Sequence, residues 1–153
     1  MKRTKEIIFV QEVIKAFHHA ENRMIIISKE ITIIKKNMLK EVNNGSNKLI
    51  HEKLSSLERE HRQAVIFCRL VDDILKNIEL DTAIDETTYG IFHYYFFEKP
   101  NQDLAANAFN LSRTPGRKRI VLCSELFVYY WKSMNNIQPL GKDSTPTPMT
   151  AVK

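Results

Sequence analysis

Residues that interrupt helices are scarce in this chain. Its 153 residues include four glycines and five prolines, and no proline precedes Pro100. Because Gly and Pro are the strongest local breakers of regular structure, their scarcity leaves long stretches free to form helices. The chain is also long enough for only one domain of ordinary size, or for a small domain joined to an extended helical element. We predict an all-α protein.

Cysteines and long apolar runs are also few. Cys68 and Cys123 each lie within an apolar helical pattern and have no Cys or His neighbour at metal-ligand spacing, which predicts two buried free thiols in a reducing compartment. Glu6, Gln11 and Glu12 interrupt the N-terminal apolar residues, so we expect no signal peptide. No run approaches the length of a membrane span. A soluble, cytoplasmic protein with no metal or cofactor is expected.

Sequence signatures of catalysis are missing. The chain has no Gly-rich phosphate loop, no nucleophile elbow and no HExxH pattern. Asp72 and Asp73 fit the polar face of a helix better than an acid/base pair. We therefore expect that the protein is not an enzyme. The net charge of +5 favours an anionic partner.

Apolar residues recur at alternating spacings of three and four in two long segments, with His61 at one position of the second. They run from Val10 to Met38 and again from Ile50 to Ile78, and an Asn- and Gly-rich break at residues 43–47 separates them. This heptad pattern predicts two helices of about 35 residues that pair as an antiparallel helical hairpin. Its apolar seam would also allow two copies of the chain to form a homodimer.

Three segments follow from this pattern: the hairpin over residues 1–80, a second helical domain over 81–133 and a disordered tail over 134–153. The polar residues Glu79 to Glu86 predict the first boundary. The aromatic-rich Thr87 to Phe97 is expected to form a buried helix, with a strand as the alternative. The tail is rich in Pro, Thr and Ser, a composition that does not support a packed core.

The sequence NLSRTPGRKR, residues 110–119, joins turn formers to a cluster of cations. Asn101 is expected to cap a short helix from Gln102 to about Phe109, and Thr114 to cap a second helix that begins at Pro115. Placed at 100° per residue, the second helix has an apolar face and an opposite face that starts with basic side chains. A short helix, a turn and a basic helix start are typical of a DNA-binding helix-turn-helix. A solvated surface, RNA and an acidic protein remain alternatives.

The same region resembles a known family over about Thr87 to Trp131. The positions that carry the resemblance to the pattern A-x-x-L-G-[IL]-S and a later small residue are Ala106, Phe109, Asn110, Leu111, Ser112 and Cys123. This pattern is similar to region four of bacterial sigma factors. Together with the helical N-terminal part, it makes the chain resemble the phage late-gene transcriptional regulators of the ArpU and RinA type. The chain departs from the pattern at Asn110, where Gly is usual, and at Pro115 and Gly116.

The resemblance implies a phage or prophage regulator that reads double-stranded DNA. It assigns the DNA-facing positions to Ser112, Arg113, Thr114, Arg117 and Lys118, a phosphate contact to Arg119, and backbone contacts to Asn101 and Gln102. Arg113, Arg117 and Lys118 are the favoured base or phosphate contacts. The rival hypothesis is a protein-interaction module that docks on RNA polymerase through the hairpin and the sigma-like domain.

Overall fold

A computed structural model describes residues 4–40 and 47–137 of the chain. The helices are α1 (Lys5–Lys40), α2 (Asn47–Glu79), α3 (Glu86–His93), α4 (Gln102–Ala108) and α5 (Arg113–Ile137), and a π-helical turn at Tyr94–Glu98 follows α3. These described residues contain no strand, so the all-α prediction is confirmed. Within the same ranges, no helix is long and apolar enough to cross a membrane.

Backbone contacts divide the chain into two compact units. One unit is Phe17–Arg69, and the other combines Met1–Ala16 with Leu70–Lys153. The first turns of α1 and the last turns of α2 therefore group with α3, α4 and α5. Because this grouping reflects spatial contacts and does not show which parts fold independently, the domain boundaries at residues 80 and 133 stay predictions.

The unit Phe17–Arg69 is an antiparallel helix pair. Arg23 donates two hydrogen bonds to Glu60 Oε2, at 2.9 and 3.0 Å, and Lys35 Nζ lies 3.6 Å from Glu58. Later residues of α1 thus pair with earlier residues of α2, as the predicted hairpin requires. Seam residues of both helices are buried, among them Ala20, Ile27, Leu57 and Ala64. The predicted turn at residues 43–47 lies outside the described residues except for Asn47, which begins α2.

In the other unit, the aromatic segment is helical, as the sequence predicted. Asp85 caps α3 by accepting a hydrogen bond from the Thr88 N–H at 2.7 Å. A hydrogen bond from the Thr88 side chain and this backbone bond hold the pKa of Asp85 below its usual value. The helical segment ends after Glu98 because Lys99, which precedes Pro100, takes an extended conformation. The sequence did not predict the π-helical form of the last turn.

Helix α5 passes beyond the predicted start of the tail. Met134 Sδ accepts a hydrogen bond from Asn77 Nδ2 at 3.6 Å, and Asn135 is buried, so α5 extends to Ile137. Residues 138–153 of the predicted tail lie outside the described residues. Both cysteines are buried and neither forms a disulfide, as predicted. Burial, together with nearby carboxylates, raises the pKa of Cys123 to about 12.

Candidate nucleic-acid interface

Helix α4 is closed at both ends by local hydrogen bonds. At its start Asn101 Oδ1 accepts the Leu104 N–H at 3.0 Å, as the sequence predicted. At its end the Leu111 N–H reaches back to Ala106 O at 2.9 Å and the Asn110 N–H to Asn107 O at 3.1 Å. These two bonds are the Schellman pattern that ends a helix. They turn the chain within four residues toward the start of α5.

The Schellman turn requires a left-handed residue, and Asn110 fills this position with φ of 60°. Asn tolerates positive φ better than most other non-glycine residues, so it can occupy a position that would otherwise favour Gly. We predict that Asn110→Gly leaves stability nearly unchanged, whereas Asn110→Val lowers it by about 1–2 kcal/mol. Urea unfolding measures both variants, and equal losses would contradict the requirement for positive φ.

Helix α5 begins earlier than predicted. It starts at Arg113, and the Gly116 N–H donates to Ser112 O at 3.1 Å, so Ser112 occupies the capping position that the sequence assigned to Thr114. Thr114 and Pro115 instead lie inside the first turn. Pro115 is tolerated there because the first N–H groups of a helix have no partner within it. Because α5 begins at Arg113, the side chain of Arg113 shares a helical face with later residues of α5.

Helices α4 and α5 approach each other closely at Gly116. A Cβ atom on Gly116 would lie 2.5 Å from Ala106 Cβ and 3.3 Å from Ala106 Cα. Since even a methyl group would collide with α4, the two small residues set the spacing of the helices. This contact is a structural reason for a residue without a side chain at position 116.

The inner face of α5 packs into the core of the unit. Ile120, Cys123 and Phe127 are fully buried, as predicted, and Trp131 is nearly so. Ile7 of α1 joins Ile120 in this core, which also contains Ile91, Tyr95 and Ala105. Phe9 adds edge-to-face contacts with Phe127 and Trp131 at centroid distances of 6.5 and 5.6 Å. The first turns of α1 therefore help to hold α5 in place.

The outer face of α5 forms an open groove of about 720 Å³, here called the α5 groove. It is lined by Thr4, Arg113, Thr114, Arg117, Lys118, Val121, Leu122 and Glu125. The α5 residues follow the spacing of one helical stripe, which places their side chains on one face. Three cations and one carboxylate line the groove, so its charge is predominantly positive.

Four of the eight predicted site residues line the α5 groove: Arg113, Thr114, Arg117 and Lys118. The other four do not. Ser112 is exposed at the capping position, and Asn101 is exposed with its side-chain oxygen used in capping α4. Gln102 has a buried Oε1 with no hydrogen-bond partner among the described residues. Arg119 turns back along its own helix, where one Nη donates to Pro115 O at 3.2 Å.

Arg113 is held by a carboxylate from the preceding helix. Its Nε and one Nη donate to the two oxygens of Asp103 at 2.8 and 2.9 Å. The bonds from Arg113 hold the pKa of Asp103 below its usual value, and they raise the pKa of Arg113 in turn. This fork leaves the remaining guanidinium N–H groups of Arg113 able to bind a ligand.

Sequence reasoning did not assign four of the groove residues to the site. Val121, Leu122 and Glu125 lie on the face opposite the apolar stripe. Projecting the sequence at 100° per residue could therefore have placed them in the site. Thr4 had no such signal. It reaches the groove because α1 packs on α5, and its Oγ1 is fixed by accepting the Ile7 N–H at 3.2 Å.

No protein-family model, curated protein or solved structure matches this chain. The resemblance to region four of sigma factors and to ArpU and RinA regulators therefore stays a hypothesis based on the residues quoted above.

Proposed function

We propose that this protein is a sequence-specific DNA-binding transcriptional regulator that reads the major groove of double-stranded DNA with the first half of α5. The observation that carries the proposal is the α5 groove, in which Arg113, Arg117 and Lys118 line one face at the start of a helix. A short helix and a tight turn precede that helix. This is the order of elements in a helix-turn-helix, whose second helix enters the major groove.

The dimensions of the α5 face fit such a role. From Arg113 to Glu125 the helix rises about 18 Å at 1.5 Å per residue. The major groove of B-DNA is about 12 Å wide and accepts one helix. Because Gly116 brings α4 against α5 and the core holds the opposite face, the exposed stripe is presented by a rigid support. A rigid element positions base contacts better than a loop does.

The charge at the start of α5 also supports an anionic ligand. The helix dipole places partial positive charge at the N-terminus, where cationic side chains destabilise a free helix. The first turns of α5 nevertheless carry Arg113, Arg117, Lys118 and Arg119, and no acidic residue lies in the first turn. Asp103 offsets the charge of Arg113, and phosphate oxygens would offset that of the remaining cations, since helix N-termini and basic side chains both attract them.

An electrophoretic mobility assay tests the proposed function. Labelled duplex fragments from the gene's own neighbourhood are compared with matched single-stranded DNA and RNA. We expect a shift with duplex DNA that unlabelled duplex of the same sequence removes more effectively than scrambled duplex. Binding to RNA alone would contradict the proposal and favour the RNA alternative, whereas no shift with any of these nucleic acids would contradict it and favour the protein-interaction hypothesis.

A homodimer formed through the helix pair is part of the proposal. Ile26 and Ile33 are seven residues apart on α1, and both are exposed, at 46% and 57%. A second copy would present the same apolar strip, as a two-fold symmetric interface requires. We expect sedimentation equilibrium to show a dimer and Ile26→Lys/Ile33→Lys to be a monomer. Leu80→Lys/Thr82→Lys, which adds the same charge at exposed residues outside Phe17–Arg69, should remain dimeric. A monomeric wild type would refute this part of the proposal.

A further inference from the structure

The ion pair between Arg113 and Asp103 connects the two helices of the proposed DNA-binding motif. Asp103 lies in the first turn of α4, and Arg113 is the first residue of α5. Both oxygens of the carboxylate are used, one by Nε and one by an Nη of Arg113, at 2.8 and 2.9 Å. Such a two-bond fork fixes the plane of the guanidinium as well as its position.

Stabilising the fold is a poor explanation for this pair. The side chains are 68% and 48% exposed. Exposed ion pairs contribute little to stability, because water screens them and ordering two side chains is unfavourable. The spacing of α4 and α5 is set independently by Gly116 and Ala106.

The position of the pair indicates a role in binding. Arg113 lines the α5 groove, and Asp103 holds its Nε edge. Three of the five guanidinium N–H groups stay available, and an Arg with a fixed orientation can present two of them to the O6 and N7 atoms of guanine. The Asp103 carboxylate also repels phosphate, so it disfavours the non-specific alternative in which Arg113 turns to the DNA backbone.

We propose that Asp103 is a positioning residue that makes Arg113 a reader of a base pair and not a general phosphate contact. This inference rests on the proposed function. It makes Asp103 a determinant of sequence selectivity, although its own charge opposes DNA binding. Without the carboxylate, Arg113 would bind phosphate at any sequence, so affinity for DNA would rise while discrimination fell.

The test compares the wild type with Asp103→Asn, which keeps the size of the side chain. Duplexes of 20 base pairs are first selected from a random pool by the wild type, and the dissociation constants of both proteins are then measured on a selected duplex and on a scrambled one. We expect Asp103→Asn to bind the scrambled duplex about three- to tenfold more tightly. The selectivity ratio, which is the dissociation constant on the scrambled duplex divided by that on the selected duplex, should fall by about tenfold or more. Preference for G·C should be lost at one position of the selected site.

Two controls separate positioning from simple removal of a negative charge. Asp73→Asn makes the same change in charge at an exposed residue that does not line the α5 groove, and it should leave the ratio unchanged. When Asp103→Asn is added to Arg113→Ala, affinity for both duplexes should rise equally compared with Arg113→Ala alone. The ratio of the two dissociation constants should then stay unchanged.

The outcomes distinguish the inference from the proposed function. If neither protein binds any duplex, the proposed function fails and the inference fails with it. If the wild type binds and Asp103→Asn keeps the same ratio between selected and scrambled duplexes, the inference alone is overturned. A fall in the ratio that also occurs in the Arg113→Ala background would overturn it as well, because Asp103 would then act without Arg113.

Discussion

Arg117→Ala/Lys118→Ala is expected to weaken binding to duplex DNA by at least about thirtyfold. Both side chains line the α5 groove in its first turns, where a recognition helix contacts DNA. A good side-chain contact to a base contributes about 1–3 kcal/mol, and tenfold in affinity corresponds to about 1.4 kcal/mol. Losing two contacts of this size gives the expected change. Fluorescence anisotropy with a duplex selected by the wild type measures it.

A charge-matched control is available in the same compact unit. Lys76 and Lys132 are exposed, and neither lines the α5 groove. Lys76→Ala/Lys132→Ala removes the same charge, so it should weaken binding only slightly, through the net charge of the protein. Circular dichroism would establish that both variants keep their helix content. Equal losses in the two variants would indicate a general electrostatic attraction and would reject the site assignment.

Gly116→Val is expected to lower the free energy of unfolding by about 3 kcal/mol, because overpacking a close contact typically costs about 1–3 kcal/mol and a branched side chain falls at the upper end. The contact that it meets is Ala106 Cβ and the α4 backbone, neither of which is the end of a flexible side chain. For a chain of this size the melting temperature should fall by about 6–12 °C. Thermal unfolding followed at 222 nm measures the shift.

Two further variants localise this effect to the contact between the helices. Gly116→Ala should be destabilising alone but largely rescued by Ala106→Gly, since the second change removes the atom that the new methyl group meets. Gly90→Ala should be milder, because the added Cβ meets only the ring edge of Phe109, which can turn away. If the double variant is no more stable than Gly116→Ala, the close approach of α4 and α5 at Gly116 is incorrect.

The elements that the sequence predicted correctly depend on local signals. Asn101 caps α4 through its own side chain, and Asn110 is one of the few residues that tolerate positive φ. The two long helices follow from a heptad pattern that continues over many turns. Each of these signals is contained within a few turns of chain, so no knowledge of the tertiary structure was needed.

The start of α5 was predicted two residues late because the sequence contains two residues that can cap this helix. Ser112 and Thr114 both carry a hydroxyl that can cap a helix, and proline fits any position in the first turn. The packing of Gly116 against Ala106 and the bond between Arg113 and Asp103 belong to the earlier start. Neither contact could be anticipated from the pattern of a single helix.

Long-range contacts explain the rest of what the sequence did not predict. Ile7 shares a core with Ile120, and Thr4 lines the α5 groove, although more than a hundred residues separate them from α5. Periodicity identifies the apolar face of α1 but not the helix that covers it. For the same reason the sequence did not reveal that Arg119 turns back along its own helix and away from the groove.

The salt dependence of DNA binding tests the central claim most directly. Each phosphate contact made by Lys or Arg contributes about −0.9 to the slope of the logarithm of the binding constant against the logarithm of salt concentration. The dissociation constant of the wild type and of Arg117→Ala/Lys118→Ala is measured on one duplex between about 50 and 200 mM salt. The proposal predicts a steep linear dependence for the wild type and a weaker binding constant in the variant, with a slope that is shallower by about one for each of the two side chains that contacts a phosphate. A wild type that binds no duplex at the lowest salt, or a variant whose line coincides with that of the wild type, would contradict it.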